Sequence, residues 1–421
     1  MDFILAAFVI VILLLFILNL TSKFGNTRNQ GKLPPGPKGY PIIGNAAQIG
    51  KLPHHTFAKW AKQYGKIYRV KLGSRKWATF GFHIFLESIA NFVISLPVIG
   101  SLWTIVCGER IQAEDEENYH NLGKIIDRAF RQMAEKGGIL YLAPWLRHIA
   151  PEWSGFNGFR SMMRNLRTVF NNLVTHHQEN DASPRHRNYI DIFLQEISKT
   201  LNIDSPFFGN NGEKHLIATL IDFFMAGTDT TTSFFLWTIF LLGKHRKVQA
   251  RLQAEIDAFA DQEMDARITL EHAKKMPYTE AVISEVQRFG SVLPLGVPHR
   301  ARVNSTIGEY MIPKGSIIFA NLHYIHHEEI WGDPGNFRPE RFFSDDHTCK
   351  AHPALVPYSS GRRQCLGEGL AKASIFLFIT TIFQNFDVHA EGDLEDVSEG
   401  IVGVTLQPKA FLSTFTRRRG S

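Results

Sequence analysis

Cysteine is scarce in this sequence, and its scarcity limits the kinds of protein that the chain can be. Only three cysteines occur in 421 residues, namely Cys107, Cys349 and Cys365. Small secreted scaffolds that depend on disulfides are much richer in cysteine, so that class is excluded and a reducing compartment is expected. Internal repeats are also lacking, and no low-complexity segment stands out beyond an apolar run near the N-terminus.

The sequence also lacks a strong excess of charge of either sign. The formal net charge is +6 and the pI is near 9.1. Such a mildly basic balance suits an anionic membrane surface or an acidic protein partner, and it is too weak to predict binding to nucleic acid. Disorder is excluded by a hydrophobic content of 44% and an aromatic content of 12%. The length allows one large domain or two to three domains of about 150 residues.

An apolar run occupies residues 3–20, where seventeen of eighteen residues are apolar and none is charged. About 20 such residues span the core of a bilayer, so we predict a transmembrane anchor over residues 1–22. A cleaved signal peptide is the alternative, but it would have a basic start and a shorter apolar core. Cations follow the run within residues 23–38 and none precedes it, which places the remaining chain in the cytosol.

Proline is concentrated directly after this run, with four prolines among residues 34–41. Proline fixes φ and stops helices, so residues 23–45 are predicted to form a stiff, basic, proline-rich lead. Residues 46–421 then show no clear internal boundary and are predicted to form a single large domain.

Helical periodicity dominates residues 46–421, with a few short segments of alternating, β-prone sequence. The predicted fold class is therefore mainly α with small β-sheets. Helices are predicted near residues 54–64, 85–107, 118–135, 159–178, 189–199, 214–242, 246–260 and 366–384. A hairpin is predicted over residues 66–72 and 75–80, and strands over residues 305–307 and 316–320.

The helix near residues 216–242 is apolar nearly all round but polar at its centre. A second membrane span is one interpretation, although Asp222 and Asp229 would each cost a few kcal/mol in hydrocarbon. A buried core helix is favoured instead. Gly227 would then let a bulky group lie against the helix, and Asp229 beside Thr230 would suit proton relay to a buried reactive centre.

Cys365 lies in a loop over residues 357–373, just before an amphipathic run. The positive end of the following helix would favour its thiolate form. A zinc site is disfavoured because Cys349 is sixteen residues away and no other cysteine or histidine lies at short spacing. A cysteine-protease nucleophile and an inert buried thiol both remain open on these residues alone.

The residues around Cys365 resemble the haem-thiolate signature of the cytochrome P-450 superfamily, F-x-x-G-x-R-x-C-x-G. Gly361, Arg363, Cys365 and Gly367 match this pattern, and Tyr358 stands where the family usually has phenylalanine. The glycines would let the backbone pass close to a flat, bulky group.

Three further segments resemble family signatures and occur in the family's order. Residues 226–231 (AGTDTT) resemble the oxygen-activation motif, residues 285–288 (EVQR) the E-x-x-R motif, and residues 337–342 (FRPERF) the P-E-R-F segment. Four motifs in order extend the resemblance over nearly the whole chain. It is strongest to the microsomal animal enzymes that metabolise drugs and steroids.

The resemblance implies a haem b cofactor and a role for each matching residue. Cys365 would be the axial thiolate ligand of the iron, and thiolate ligation favours O–O cleavage. Ala226 and Gly227 would lie against the haem on its distal side, where Asp229 and Thr230 would deliver protons.

Other matching residues have supporting roles in the family. Arg363 and His299 would contact the haem propionates. Glu285, Arg288 and Arg341 would form a buried ion network that supports the fold and does no chemistry. The alternative for this network is a solvated ion pair worth less than about 1 kcal/mol.

One family feature is missing from the sequence. Members of the family have a helix with W-x-x-x-R after the first hairpin, and this helix holds a haem propionate. No tryptophan of this chain has arginine four residues later. The catalytic domain is therefore predicted to be shortened near residues 80–84, where the W-x-x-x-R helix and the loop over the distal pocket are absent.

The function implied by the resemblance is that of an oxidoreductase, a haem-thiolate monooxygenase anchored by a single pass in the endoplasmic reticulum membrane. It would insert one oxygen atom of O2 into an apolar small molecule. Electrons would come from NADPH through a flavoprotein reductase, with cytochrome b5 as an optional second donor. A truncated, non-catalytic product that binds haem weakly or not at all is the alternative that the missing segment favours. A haem-thiolate isomerase or dehydratase is disfavoured by the intact Asp229–Thr230 pair.

Overall fold

The computed structural model of the chain describes most of the sequence after residue 31. The described residues are 32–40, 44–50, 52–72, 75–76, 89–111, 122–126, 140, 145–179, 188–260, 268–344 and 348–418. The predicted membrane anchor over residues 1–22 lies outside them, as does most of the predicted lead. The chain divides into two compact units. The first comprises residues 1–83, 134–156 and 294–324, and the second comprises residues 84–133, 157–293 and 325–421.

Helices account for most of the described secondary structure. They are α1 (Ala46–Ile49), α2 (Pro53–Tyr64), α3 (Ile89–Cys107), α4 (Leu146–Ile149), α5 (Phe156–Glu179), α6 (Tyr189–Lys199), α7 (Gly209–Lys244), α8 (Arg246–Ala260), α9 (Pro277–Gly290), α10 (Leu322–His326), α11 (Glu368–Asn385) and α12 (Leu394–Glu399). Short 3-10 turns cover Leu270–Lys275, Glu329–Trp331, Pro339–Phe342 and Gly361–Arg363. Residues 122–126 are also helical.

The strands are short and form antiparallel pairs. They are β1 (Lys71–Leu72), β2 (Arg75–Lys76), β3 (His299–Arg300), β4 (Ser305–Ile307), β5 (Tyr310–Ile312), β6 (Ile317–Ile318), β7 (Phe386–Ala390), β8 (Ile401–Val402), β9 (Leu406–Gln407) and β10 (Ser413–Arg417). The pairs are β1–β2, β3–β6, β4–β5, β7–β10 and β8–β9. The predicted class, mainly α with small β-sheets, is confirmed.

The first unit has a small aromatic core built on α2. Phe57 and Trp60 are three residues apart, so they share one face of the helix, and both are buried against Ile49. Pro53 occupies the start of α2, where its fixed φ suits the first turn. Gly65 caps the helix: its N–H donates to the Ala61 carbonyl at 2.9 Å, and its positive φ of 93° turns the chain away from the helix.

The second unit is organised around α7. This helix has 36 residues, so it is about 54 Å long. It packs against α3, α6, α9 and β7, and every residue from Thr231 to Gly243 is buried. A large cluster of buried apolar side chains from α3, α5 and α6 covers the first half of α7. Among the helices that the structure describes, α7 included, none is both long enough and apolar enough to cross a bilayer.

Two glycines allow close packing around the second half of α7. A Cβ added at Gly243 would lie 2.7 Å from the Cβ of Ala390 in β7. A Cβ added at Gly290, the last residue of α9, would lie 2.8 Å from Cγ of Trp237. The Trp237 Nε1–H donates to the carbonyl of Leu406 at 2.9 Å. These contacts tie α7 to α9 and to both C-terminal strand pairs.

The helices predicted from periodicity differ from the observed ones mainly at their ends. The last long helix begins at Glu368 rather than at residue 366, because the backbone turns through Gly367 first. The helix predicted over residues 118–135 is described only at residues 122–126. The short pairs β7–β10 and β8–β9 lie outside the predicted set, although β7 (FDVHA) alternates apolar and polar residues.

Candidate functional site

Cys365 occupies an exposed turn between the 3-10 turn Gly361–Arg363 and helix α11. Its backbone N–H donates to the carbonyl of Tyr358 at 3.0 Å, and its own carbonyl is 3.5 Å from the Glu368 nitrogen. Cys365 therefore lies three residues before Glu368, the first residue of α11. It is near the N-terminus of that helix, as the sequence predicts.

The face of the loop around the thiol is open. Residues 359–367 are all exposed, and Leu366 is 89% exposed. A Cβ added at Gly361 would meet no atom within 4 Å, and one added at Gly367 would have only Sγ of Cys365 nearby, at 4.0 Å. Gly361 also has a φ of +80°, which favours glycine. The loop thus presents its sulfur on a surface that a flat group can approach.

Side chains beneath the loop fix its backbone. The Tyr358 hydroxyl accepts a hydrogen bond from Nε2 of Gln287 at 2.8 Å, and burial raises the pKa of Tyr358 well above its usual value. The Val356 N–H donates to Nε2 of His326 at 3.3 Å, while Nδ1 of His326 lies 3.1 Å from the Ser291 hydroxyl. Burial lowers the pKa of His326 to about 3, so this ring is neutral near pH 7.

The predicted ion network is assembled at Glu285. Arg288 donates from Nε and Nη2 to the two carboxylate oxygens of Glu285, each at 2.8 Å, and both side chains are fully buried. Arg341 is 5% exposed, and its Nε lies 3.0 Å from Oε2 of Glu285 as an ion pair without hydrogen-bond geometry. The structure therefore brings Glu285, Arg288 and Arg341 together in the interior.

The remaining donors of this network bind the backbone of the segment before the P-E-R-F turn. Arg288 donates to the carbonyls of His326 and Pro334, at 2.9 and 3.0 Å. Arg341 donates to the carbonyl of Trp331 at 2.7 Å. Glu285 Oε1 also accepts the backbone N–H of Arg338 at 2.8 Å. Because each buried charge has several partners, the network fixes α9 to residues 326–341, the segment that precedes the cysteine loop.

The centre of α7 carries the other predicted site residues. Ala226 is exposed and Thr230 is half-buried, although the helix around them is largely buried. The Thr230 hydroxyl donates to the Ala226 carbonyl at 2.7 Å, which places both residues on one open face. At Gly227 the neighbour is Leu102 of α3, since an added Cβ would lie 2.9 Å from its Cδ1. Leu102 therefore lies on the Gly227 side of the helix and Ala226 is exposed, and contact of Gly227 with the cofactor stays a prediction.

Asp229 is held by residues that sequence reasoning missed. The Thr405 hydroxyl donates to Oδ2 of Asp229 at 2.8 Å, and the Ser233 hydroxyl lies 3.1 Å from that of Thr405. Gln407 donates to the Ser233 hydroxyl at 3.1 Å. Thr405 is 176 residues from Asp229, so no local signal in the sequence could have paired them.

The two residues predicted to contact the anionic propionates, Arg363 and His299, are also exposed. Arg363 lies in the cysteine loop, and no acidic side chain of the described residues forms an ion pair with it. His299 lies on β3 of the first unit and is also exposed.

These observations fit a haem. Cys365 supplies a sulfur donor, its loop leaves the sulfur accessible, and Arg363 is available for a carboxylate. The exposed Ala226 gives a small apolar contact point on α7 within the same unit.

Comparison with known proteins gives a consistent result. The family model described as Cytochrome P450 matches residues 34–90 and 87–415. The farnesoate epoxidase of Bombyx mori is 31% identical over 79% of this chain and 66% of its own length. Cytochrome P450 2J2 of Homo sapiens is 32% identical over 76% of this chain and 62% of its own. Cytochrome P450 2A13 of Homo sapiens is 27% identical over 96% of this chain and 97% of its own.

The alignments also show how much of each relative's length this chain covers. The chain covers 62–66% of the length of the first four relatives. The alignment with cytochrome P450 2A13 runs over 493 residues, so about 90 of its positions have no counterpart in these 421 residues. The two segments matched by the family model meet at residues 87–90.

Proposed function

The chain belongs to the cytochrome P450 family, and from this premise we propose that it is a haem-thiolate monooxygenase that inserts one oxygen atom of O2 into an apolar small molecule. The observation that carries the proposal is the exposed thiol of Cys365 on an open glycine-containing loop at the start of α11. A lone structural cysteine would be buried, as Cys107 is at 4% exposure.

The residues that would hold the cofactor follow from the site. Cys365 would ligate the iron through Sγ, Arg363 and His299 would contact the propionates, and Ala226 would lie beside the ring. When bound, the haem supplies the chemistry of dioxygen activation, which thiolate ligation favours. Backbone N–H groups after Cys365 would moderate the donor strength of the sulfur.

In the proposed reaction, the side chains of the protein deliver protons to the reacting oxygen. Thr230 holds its hydroxyl on the open face of α7, and Asp229 is the adjacent acid. The hydrogen bond from Thr405 fixes the orientation of the Asp229 carboxylate. After Asp229 has taken up a proton from water, its carboxylic acid would pass that proton to the Thr230 hydroxyl as the hydroxyl gives up its own, and Asp229 would return to the carboxylate form.

Electron supply is part of the proposal. We infer that NADPH is oxidised by a flavoprotein reductase that docks on the face around Cys365, with cytochrome b5 as an optional donor. Arg362 and Arg363 are exposed on this face and would meet acidic side chains of the reductase. The apolar run at residues 3–20 supports anchorage in the endoplasmic reticulum membrane with a cytosolic catalytic domain.

The substrate is proposed only as a class. One relative is named for epoxidation of a farnesoate, which is an oxygen insertion into a largely apolar chain. On the open face of α7, Ala226 is apolar, while the exposed Asp222 and the half-buried Thr230 each lie about one turn away from it. The apolar sequence of the rest of α7 supports an apolar small molecule as the substrate class.

A non-catalytic, shortened product of the same family is the second candidate. About 90 positions of a full-length relative have no counterpart here, and W-x-x-x-R is absent from the sequence. Without that arginine, one propionate would lose a charge-assisted contact worth roughly 1.5–3 kcal/mol. Weaker haem binding is the expected consequence.

The absorption spectrum of the reduced, CO-bound protein tests the proposal. We expect the purified chain reconstituted with haem to show the thiolate type of Soret band, and the Cys365→Ala variant to lose it. Cys349→Ala is the matched control, because Cys349 is half-buried in a different segment and its loss should leave the band unchanged. An unchanged band in Cys365→Ala would contradict the assignment of the ligand.

Two further measurements separate the candidate functions. Haem titration of the chain, beside a version with a W-x-x-x-R helix inserted between Phe80 and Ile84, should show about one to two decades tighter binding for the longer version. NADPH- and reductase-dependent oxygen consumption by the chain as given would support catalysis. A thiolate spectrum without turnover would favour the non-catalytic product.

A further inference from the structure

Three histidines of the first unit form a group that has no part in the proposed chemistry. His54 and His55 are adjacent in the first turn of α2, and His323 lies in α10. One ring nitrogen of each can be chosen so that all three lie within 4.8 Å of one another. The ring of His54 is 4.4 Å from that of His55 and 4.5 Å from that of His323, between centroids. Imidazoles from two distant segments thus converge on one point.

The three rings run from the interior to the surface. His54 is 1% exposed, His323 is half-buried and His55 is exposed. An ion at the point of convergence would be bound from the inside by His54, and water could reach its outer side past His55.

Backbone contacts hold the two segments in place. The Thr56 hydroxyl donates to the carbonyl of Ile49 at 2.7 Å, which fixes the start of α2. The N–H of His323 donates to the carbonyl of Pro294 at 2.9 Å. The approach of the rings therefore follows from the main chain and not from side-chain rotation alone.

The geometry suits a transition metal. Zinc is bound tetrahedrally by imidazole nitrogens at about 2.0–2.1 Å, so its ligand nitrogens are about 3.4 Å apart. The three nitrogens lie within 4.8 Å of one another, so the largest separation exceeds 3.4 Å by no more than about 1.4 Å, which a rotation of the exposed His55 ring can close. The group offers only nitrogen, whereas calcium and magnesium prefer oxygen ligands.

We propose that His54, His55 and His323 bind one divalent transition metal ion of the zinc type, with water as the fourth ligand. The ion would join the start of α2 to α10 within the first unit. Because imidazole binds metal only in its neutral form, the site would release the ion in acid. The proposal is independent of Cys365 and of haem binding.

Zinc content measures this directly. The full chain, purified without a histidine tag and stripped with chelator, is equilibrated with Zn2+ and analysed for zinc per chain. We expect one zinc per chain, and at least about tenfold weaker binding in His55→Gln and His323→Gln. The matched control is His176→Gln: His176 and His177 are also adjacent on a helix, and within the described residues no third histidine joins them. The control should bind zinc as the parent does.

Thermal unfolding gives a second readout. A ligand that binds only the folded state raises the melting temperature, so Zn2+ should raise that of the parent and of His176→Gln but not that of His55→Gln. His55 is exposed, so its variant should fold even if His323→Gln does not. Equal zinc affinity in His55→Gln and the parent would overturn the proposal, as would a parent chain that retains no zinc.

Discussion

The ion network at Glu285 and the loop at Cys365 belong to the same unit and are built in opposite ways. In the network, fully buried charges have several partners each. In the loop, the sulfur and its neighbours face solvent. Gln287 and His326 connect the two regions through Tyr358 and Val356. The network should therefore contribute mainly to folding stability and the loop mainly to the proposed chemistry. Substitutions in one region should affect one property and leave the other largely unchanged.

Glu285→Gln should have the largest effect on folding. It would leave the buried guanidinium groups of Arg288 and Arg341 without their shared carboxylate, which costs roughly 3–5 kcal/mol in the free energy of unfolding. Urea denaturation followed by circular dichroism measures this loss. Glu340→Gln is the control, because the Glu340–Arg251 pair is 41–46% exposed and the new amide oxygen can still accept the hydrogen bond from the Tyr278 hydroxyl, so the loss should be no more than about 1 kcal/mol. Similar losses in the two variants would show that the network is not the stronger region.

His326 should make the stability depend on pH. Its pKa is about 3 in the folded protein, below the unfolded value near 6.5, so only the unfolded chain gains a proton between these values. Stability should therefore fall as pH decreases below about 6.5, by up to about 1.4 kcal/mol per pH unit from this residue. Urea midpoints at a series of pH values measure the slope.

The matched variants for this slope are His326→Gln and His389→Gln. The first should flatten the pH dependence, whereas the second should not, because His389 is exposed on β7. An unchanged slope in His326→Gln would assign the pH dependence to other groups.

Thr405→Val should have a smaller effect on stability and a clear effect on the proposed reaction. It keeps the shape of the side chain but removes the hydrogen bond to Asp229, at a cost of about 1 kcal/mol for a half-buried acceptor. With Asp229 no longer oriented, peroxide release should rise relative to product, as it should in Thr230→Ala. Thr416→Val, at an exposed position on β10, should leave the ratio of peroxide to product unchanged. Equal ratios in all variants would remove Thr405 from the proton path.

Cys365→Ser should have the smallest effect on folding. The side chain is exposed, so the free energy of unfolding of the haem-free chain should change by less than about 0.5 kcal/mol. The thiolate type of spectrum should nevertheless be lost. A large destabilisation would mean that the thiol packs against other residues and that the contrast between the two regions is weaker than the structure indicates.

Local sequence patterns were sufficient for the features that depend on neighbouring residues. Apolar spacing predicts α2 and α7, and Gly361 and Gly367 predict the turn around Cys365. The meeting of Glu285 with Arg341 could be predicted only because the motifs resemble those of a known family. The anchor at residues 1–22 stays a prediction.

Long-range contacts could not be predicted in the same way. Thr405 reaches Asp229 only after the chain has folded back, and the sequence around Thr405 has no feature that marks a partner. Gln287 lies at a variable position within the E-x-x-R motif, yet it binds Tyr358 beside the cysteine loop. His54 and His323 are 4.5 Å apart between ring centroids although 269 positions separate them in the sequence.

The close contact at Gly290 makes the candidate site sensitive to a distant change. A methyl group there would push against Trp237, whose indole nitrogen donates to the carbonyl of Leu406. Leu406 directly follows Thr405, and Thr405 holds the carboxylate of Asp229. A variant such as Gly290→Ala could therefore alter proton delivery without touching any residue of the site. An inherited substitution at Gly290 would then impair the proposed reaction, although Gly290 is not itself a reacting residue.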